Sequence, residues 1–178
     1  LLEQQGDGWR IQAAGKYYAA RAVILATGTR LKTLDVPGEE RLFGKGVSHC
    51  ASCDAPLMRG NPVVVVGGGD SALQEALTLA PHVSGITVVT HGAALTAQPA
   101  YGDPVRSDPK IEVRYNSTVE KIVGDAGVTA VRIRQDGSDA VDVEAHGVFV
   151  FVGLEGNGGL VADRLALDTT DRVPVYEL

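Results

Sequence analysis

The sequence predicts an α/β fold, and three observations lead to this prediction. Residues 63–66 are four valines, followed by a glycine turn and by apolar residues at helical spacing, and residues 86–90 supply the next strand. Residues 111–144 contain short alternating segments separated by turn residues, which indicates antiparallel strands. Residues 147–153 form a further apolar run, typical of a buried strand. A β-α-β unit extended by antiparallel strands accounts for all three.

The start of the chain predicts a hairpin and a buried strand. Residues 9–13 and 16–19 flank Gly15, as in a hairpin with a glycine-containing turn. Residues 21–26 are apolar and rich in branched side chains, which favours a strand covered on both faces.

The end of that run and the residues after it predict a close approach and a linker. Ala26, Thr27 and Gly28 are small, so the backbone can pass near a bulky neighbour. Residues 34–40 contain proline and glycine, break regular structure and indicate a linker.

The second half of the chain predicts mainly strands. Residues 92–109 read as a polar, irregular stretch, residues 160–167 as a short helix and residues 173–175 as the start of a strand. The predicted strands between them cover residues 111–115, 118–123, 128–134 and 140–144.

The turn after the four valines has the spacing of a dinucleotide-binding loop. Gly67, Gly69 and Ala72 match G-x-G-x-x-G/A between a strand and a helix, where backbone N–H groups can hold a pyrophosphate. A glycine turn that serves packing alone is the alternative. The sequence thus predicts a Rossmann-like, three-layer NAD(P)-binding domain with an added antiparallel β-meander. The predicted cofactor-binding residues of the loop are Gly67, Gly68, Gly69, Asp70, Ser71 and Ala72.

The next strand ends without the usual selector of the coenzyme. An acidic residue there favours NAD and an arginine favours NADP, but residues 90–93 read Thr-His-Gly-Ala. Thr90 and His91 are predicted to border the cofactor. The site is permissive, recruits Arg106 or Lys110, or has lost affinity; the sequence leaves these open.

Cys50 and Cys53 form a Cys-x-x-Cys pair, and three interpretations apply to it. A zinc site that included His49 would still lack a ligand nearby, so no metal is predicted. Two inert buried thiols are a second possibility. A redox-active dithiol is favoured, because this spacing closes a small ring and one thiolate can attack a partner disulfide. Asp54 could exchange the proton, or could be an ordinary cap.

Composition narrows the class of partner. A net charge of −6 argues against nucleic acid and anionic membranes, and no apolar run reaches the ~20 residues of a membrane span. Two cysteines are too few for a disulfide-stapled secreted protein, and no signal peptide precedes the first strand. We therefore expect a soluble, cytoplasmic protein. Its 178 residues suit one domain with pieces of another, and Leu1 indicates that the native start is missing.

Four motifs in this order resemble the low-molecular-weight thioredoxin reductases, which are FAD-dependent pyridine nucleotide-disulfide oxidoreductases. The motifs are Ala26-Thr27-Gly28, Cys50-Ala51-Ser52-Cys53-Asp54, Val65-Val66-Gly67-Gly68-Gly69-Asp70-Ser71-Ala72 and Gly147-Val148-Phe149-Val150-Phe151-Val152-Gly153.

The resemblance implies a role for each motif. Cys50 would attack the disulfide of a thioredoxin-like protein, Cys53 would face the flavin and Asp54 would be the acid–base group. The loop from Gly67 to Ala72 would hold the pyrophosphate. The small residues 26–28 and Gly153 would border the FAD.

The resemblance also implies a division into domains. Residues 34–146 would form the NAD(P)-binding domain, and residues 1–33 and 147–178 would be incomplete strips of the FAD-binding domain. The family's two main FAD motifs are missing from the chain, and residues 91–93 replace its His-Arg-Arg cluster. The parent enzyme would be a homodimer whose domains rotate.

The implied function is transfer of electrons from NADPH or NADH through FAD to the cysteine pair, and then to a thioredoxin-like protein. The chain alone is not expected to turn over. The alternatives are the flavoprotein arm of a peroxide-reducing system and a non-catalytic nucleotide-binding module with a degenerate site.

Overall fold

The computed structural model describes residues 1–174, which fall into two compact units. The central unit is Lys32–Val152, and the flanking unit combines Leu1–Leu31 with the residues from Gly153 onward. The strands, in chain order, are β1 Leu2–Gln5, β2 Gly8–Ala13, β3 Lys16–Ala20, β4 Thr29–Leu31, β5 Val47–Ser48, β6 Pro62–Val66, β7 Gly85–Val89, β8 Ile111–Arg114, β9 Ser117–Gly124, β10 Val128–Gln135, β11 Val141–Glu144, β12 Gly147–Val150 and β13 Leu154–Gly156.

The α-helices of the described chain all lie in the central unit. They are α1 Glu39–Leu42, α2 Ala51–Asp54, α3 Asp70–Leu79 and α4 Pro99–Ser107. Two 3₁₀ turns, Ala55–Met58 and Gly158–Val161, complete the elements of the described chain.

A parallel five-stranded sheet forms the middle of the central unit. Its order is β5-β12-β6-β7-β8, so β6 lies between two neighbours, with Val66 opposite Val150 on one side and Val89 on the other. Because β6 is central and covered on both faces, it needs apolar side chains throughout. This explains the four consecutive valines.

The two faces of this sheet pack against different layers. Val63, Val65 and Phe149 point to the helices and join one core with Leu73 and Leu79 of α3. The alternate positions join a second core with residues of β9 and β10 from an antiparallel sheet of order β11-β10-β9. Helices, parallel sheet and antiparallel meander make three layers. The predicted fold class is confirmed.

The strand β12 belongs to the central sheet. The resemblance implied that residues 147–178 together form a flanking strip, but Gly147–Val150 pairs with β6 and β5 in parallel. Its side chains are fully buried there, because Phe149 packs against the helical layer, whereas Val148 and Val150 pack against the antiparallel sheet.

The structure contains α4 where an irregular stretch was expected. Pro99 takes the first turn, a position that suits proline because the N–H there has no helical partner. Tyr101 and Val105, four residues apart, pack on the core of the helical layer. Gly102 and Pro104 are weak helix formers, and they hid this pattern in the sequence.

The flanking unit contains two small sheets. In the first, β2 and β3 form the predicted hairpin, and its turn residues Ala14 and Gly15 both have positive φ, 49° and 74°. In the second, β4 pairs with β13.

Three segments of the flanking unit differ from expectation. Residues 21–26 form no strand: they pair with no strand of the described chain, and Ile24 is 93% exposed. The helix expected at residues 160–167 is reduced to the 3₁₀ turn Gly158–Val161. Val173 and Pro174 form no strand, and Val175 lies outside the described residues. None of the described helices is long and apolar enough to cross a membrane.

Candidate functional site

The loop between β6 and α3 requires glycine at its first position. Gly67 has φ of 135°, and a Cβ there would lie 2.3 Å from the carbonyl oxygen of Phe151. Its N–H donates to the carbonyl of Val89 at 2.9 Å, which fixes the loop on β7. Ala72 is buried directly beneath, 3.0 Å from the same Cβ position. The turn and the close packing of α3 on the sheet therefore both depend on Gly67.

Gly68 and Gly69 serve different purposes. A Cβ on Gly68 would lie 2.5 Å from Oγ1 of Thr90, so this glycine permits packing on the end of β7. A Cβ on Gly69 would meet only Oγ1 of Thr96, at 3.7 Å. The face above Gly69 is therefore open, as a binding surface for a bulky anion requires.

The first turn of α3 supplies donors to that open face. The N–H of Leu73 bonds the carbonyl of Gly69, so the N–H groups of Asp70, Ser71 and Ala72 precede the first intrahelical bond. Free N–H groups at a helix N-terminus, beside a glycine with no side chain, suit a phosphate group. The loop therefore fits a dinucleotide pyrophosphate.

Asp70 has a structural role that the motif did not reveal. Its carboxylate accepts hydrogen bonds from the backbone N–H of Gln98 at 2.7 Å and from Nε2 of the same residue at 2.8 Å. The N–H of Thr96 donates to the carbonyl of Gly68. Asp70 thus fastens the segment before α4 onto the glycine loop.

Replacing Asp70 with alanine is expected to loosen this segment. Two hydrogen bonds to a partly exposed carboxylate are lost, so we expect stability to fall by about 1 kcal/mol. Urea unfolding measures the loss, and hydrogen exchange should rise at the N–H of Gln98. Asp103→Ala, which removes an exposed carboxylate of α4, serves as the control. Unchanged exchange at Gln98 would contradict the assignment.

No selector for the coenzyme lies at the end of β7. Thr90 is buried and its Oγ1 accepts the N–H of Gly92, whereas His91 is exposed. Arg106 and Lys110 were the two cationic residues that the sequence suggested could be recruited to bind the coenzyme. Arg106 instead pairs with Asp103. Lys110 directly precedes β8 and therefore lies at the N-terminal end of the parallel strands, whereas the glycine loop lies at their C-terminal end. There its Nζ donates to the carbonyls of Ala80 and Val83. Lys110 therefore cannot serve the glycine loop.

Cys50 and Cys53 are joined by a disulfide, with Cα atoms 5.3 Å apart. Cys50 follows β5 and is half-buried, and Cys53 is exposed in α2. The interpretation as two inert buried thiols was therefore wrong. The N–H of Cys53 donates to Sγ of Cys50 at 3.2 Å, a contact that would stabilise a thiolate at Cys50 in the reduced state.

Two further side chains hold the backbone of this loop. The hydroxyl of Ser48 accepts the N–H of Cys50 at 3.0 Å, and Oε2 of Glu75 accepts the N–H of Ala51 at 2.9 Å. The sequence did not indicate either contact. Glu75 is 24 residues from Ala51 and comes near it only because α3 packs against α2.

Asp54 and His49 flank the disulfide. Asp54 ends α2, is half-buried and has no side-chain hydrogen bond within the described chain. Nδ1 of His49 lies 2.8 Å from the carbonyl oxygen of Val150, which ties this residue to β12.

The remaining predicted residues lie in the flanking unit. Nδ2 of Asn157 donates to the carbonyl of Thr27 at 2.9 Å, and its backbone N–H donates to that of Gly28 at 3.1 Å. The segment from Ala26 to Gly28 is thus tied to the chain after β13, whereas Gly153, with φ of 107°, precedes β13.

A cavity of about 230 Å³ lies between these segments. It is smaller than the roughly 300–1,000 Å³ of most cofactor pockets, so the residues around it fit only part of a flavin. The lining residues are Leu25, Thr27, Gly28, Thr29, Gly156, Asn157, Gly158, Leu160, Val161, Asp171, Arg172 and Val173.

Comparison with known proteins supplies the family context. The family described as pyridine nucleotide-disulphide oxidoreductase matches residues 3–177. A thioredoxin reductase of Listeria innocua is 42% identical over 147 residues, which is 81% of this chain and 46% of that protein. A bifunctional thioredoxin reductase/thioredoxin of Mycobacterium leprae is 39% identical over 159 residues, 89% of this chain and 35% of that protein.

Two similar solved structures are also thioredoxin reductases. Thioredoxin reductase of Lactococcus lactis superposes with a TM-score of 0.88 at 29% identity, over 97% of this chain and 57% of that one. Thioredoxin reductase of T. acidophilum superposes with a TM-score of 0.85 at 31% identity, with the same coverage of 97% and 57%. The chain spans about half the length of the relatives that it matches.

Proposed function

The chain belongs to the pyridine nucleotide-disulphide oxidoreductase family, and from this we propose that it is the dinucleotide- and disulfide-bearing part of a thioredoxin reductase-like flavoenzyme. The observation that carries the proposal is the Cys50–Cys53 disulfide, in which Cys53 is exposed. It lies in the same compact unit as a glycine loop suited to pyrophosphate. Relatives named thioredoxin reductases, at 36–42% identity, support it.

Each unit has a proposed task. The central unit would hold NADPH or NADH through the N–H groups of Gly69 and the first turn of α3, and would carry the cysteine pair. The flanking unit would border FAD through the segment from Ala26 to Gly28 and through Asn157, which its hydrogen bonds keep together. When bound, these cofactors would supply the electron pair that reduces the disulfide.

The reduced pair would then pass two electrons to a partner disulfide. The Cys50 thiolate forms a bond to one sulfur of the partner, and the other sulfur leaves as a thiolate. Cys53 attacks Sγ of Cys50, which releases the second partner thiolate and restores the Cys50–Cys53 disulfide. Asp54 would accept the proton of the attacking thiol or donate a proton to the leaving thiolate. A thioredoxin-like protein in the cytoplasm, where thiols are kept reduced, is the proposed acceptor.

One observation favours a second candidate, a binding module with a weakened nicotinamide site. Residues 90–93 offer neither an acidic residue for the ribose hydroxyls nor an arginine for a 2′-phosphate. The flavoprotein arm of a peroxide-reducing system shares the proposed chemistry and differs in its acceptor protein. Homodimerisation of the parent enzyme stays an expectation of the resemblance.

Separate titrations with NADH and NADPH distinguish these candidates. Because no charged side chain within residues 90–93 reads the 2′ position, we expect both coenzymes to bind with dissociation constants within about tenfold of each other. Calorimetry of the protein measures both. Failure of both coenzymes to bind would favour the binding module and contradict the proposed electron donor.

A further inference from the structure

Glu75 connects the helix of the glycine loop to the disulfide. It lies on α3, which starts at the glycine loop, and its Oε2 accepts the N–H of Ala51 at 2.9 Å. Ala51 is fully buried and directly follows Cys50, and Glu75 is itself half-buried. A carboxylate is therefore held against the peptide N–H of the residue that follows Cys50, in a partly desolvated contact.

We propose that Glu75 is a positioning residue that fixes the Cys50–Cys53 loop and whose negative charge makes the reduced pair a stronger electron donor. The inference rests on the proposed function, because it concerns the reactivity of the same dithiol.

The charge acts on the two redox states unequally. The disulfide is neutral, whereas reduction produces a thiolate, which a nearby carboxylate disfavours by like-charge repulsion. A dithiol whose reduced form is stabilised is a strong oxidant. Conversely, a dithiol whose reduced form is destabilised gives up its electrons more readily. The carboxylate of Glu75 therefore favours the outward transfer of electrons.

Other groups near the pair do not duplicate this contact. The titratable and charged residues on the adjoining elements are His49, Asp54 and Arg59. His49 is tied to Val150, and neither Asp54 nor Arg59 has a side-chain hydrogen bond to the loop within the described chain. Ser48 makes a comparable backbone contact, to the N–H of Cys50, without a charge.

This pair of contacts allows position and charge to be separated. Glu75→Gln keeps an oxygen that can accept the N–H of Ala51 but removes the charge. Ser48→Ala removes a backbone contact and leaves the charge. Glu75→Asp keeps the charge on a shorter side chain. Glu75→Ala, which removes the charge and should shift the equilibrium in the same direction as Glu75→Gln, serves as the second variant should the glutamine variant fail to fold.

Thiol exchange chemistry provides the measurement without any cofactor. The protein is equilibrated with mixtures of reduced and oxidised dithiothreitol, in which one dithiol is oxidised as one disulfide is reduced, with two electrons and two protons exchanged. Alkylation and mass spectrometry count the free thiols. The pH dependence of the alkylation rate at Cys50 reports the pKa of its thiol.

For Glu75→Gln we expect the equilibrium to shift about tenfold toward the reduced pair, about 30 mV for two electrons, and the pKa of the Cys50 thiol to fall. Glu75→Asp should remain close to wild type. Glu144→Gln, the same change at an exposed site on β11, should have no effect.

Two outcomes would overturn the inference but not the proposed function. The first is an unchanged thiol–disulfide equilibrium in Glu75→Gln. The second is an equal shift of that equilibrium in Ser48→Ala, which would show that loss of a backbone contact, and not loss of the charge, causes the effect. If the wild-type disulfide cannot be reduced by dithiothreitol at all, both the inference and the proposed function fail.

Discussion

Cys50→Ser is expected to abolish reduction of a thioredoxin disulfide by the flavin-loaded parent enzyme. The variant removes the sulfur that would form the mixed disulfide with the partner, and it leaves Cys53 without a sulfur to attack. Dinucleotide binding should persist, because the glycine loop makes its contacts through Gly67 and Gly68 to β7 and Phe151, with none to Cys50.

The measurement is the rate of thioredoxin reduction with NADPH or NADH as donor, together with a coenzyme titration of the same variant. Ser52→Ala is the matched control, because Ser52 is exposed between the two cysteines and lies outside the disulfide. Activity of Cys50→Ser equal to that of the control would contradict the role of this pair.

Gly67→Ala is expected to lower the free energy of unfolding by about 3 kcal/mol, and to abolish dinucleotide binding. The added methyl group would have to occupy a position 2.3 Å from the carbonyl oxygen of Phe151, at a φ of 135° that side chains rarely adopt. Relief of this overlap must move the loop away from Phe151, which follows β12, and the backbone strain and overpacking each cost roughly 1–3 kcal/mol.

Gly69→Ala is the control that separates folding from binding. Its Cβ would have no neighbour closer than 3.7 Å, and its φ is −95°. We expect a change in stability below about 1 kcal/mol, with weaker dinucleotide binding because the methyl group covers the open face. Urea unfolding and coenzyme titration measure both variants. Equal stability losses in the two variants would contradict the distinct roles of these glycines.

The central β-α-β unit could be predicted from sequence because its pattern is local. The valines of β6, the glycine turn and the periodic residues of α3 are contiguous, and each predicts the element that it forms. The glycine at position 67 is also a local signal, since it reflects a backbone conformation. The same holds for the hairpin of β2 and β3.

The features that escaped prediction depend on distant partners. Residues 21–26 have the composition of a buried strand, but no strand of the described chain pairs with them. The start of α4 is fixed by the carboxylate of Asp70, 28 residues away. The contact of Glu75 with Ala51 arises from the packing of α2 on α3, which no sequence spacing encodes. The Cys-x-x-Cys motif allowed the cysteine pair to be predicted, but the contact that Glu75 makes beside it depends on tertiary packing.

The most direct measurement is a count of thiols in the flavin-loaded parent enzyme after anaerobic addition of NADPH or NADH. Alkylation followed by mass spectrometry identifies which cysteines have been released from the disulfide. We expect both Cys50 and Cys53 to become alkylated after the coenzyme is added, and neither to be alkylated before. A disulfide that stays intact in the presence of either coenzyme would contradict the transfer of electrons to this pair.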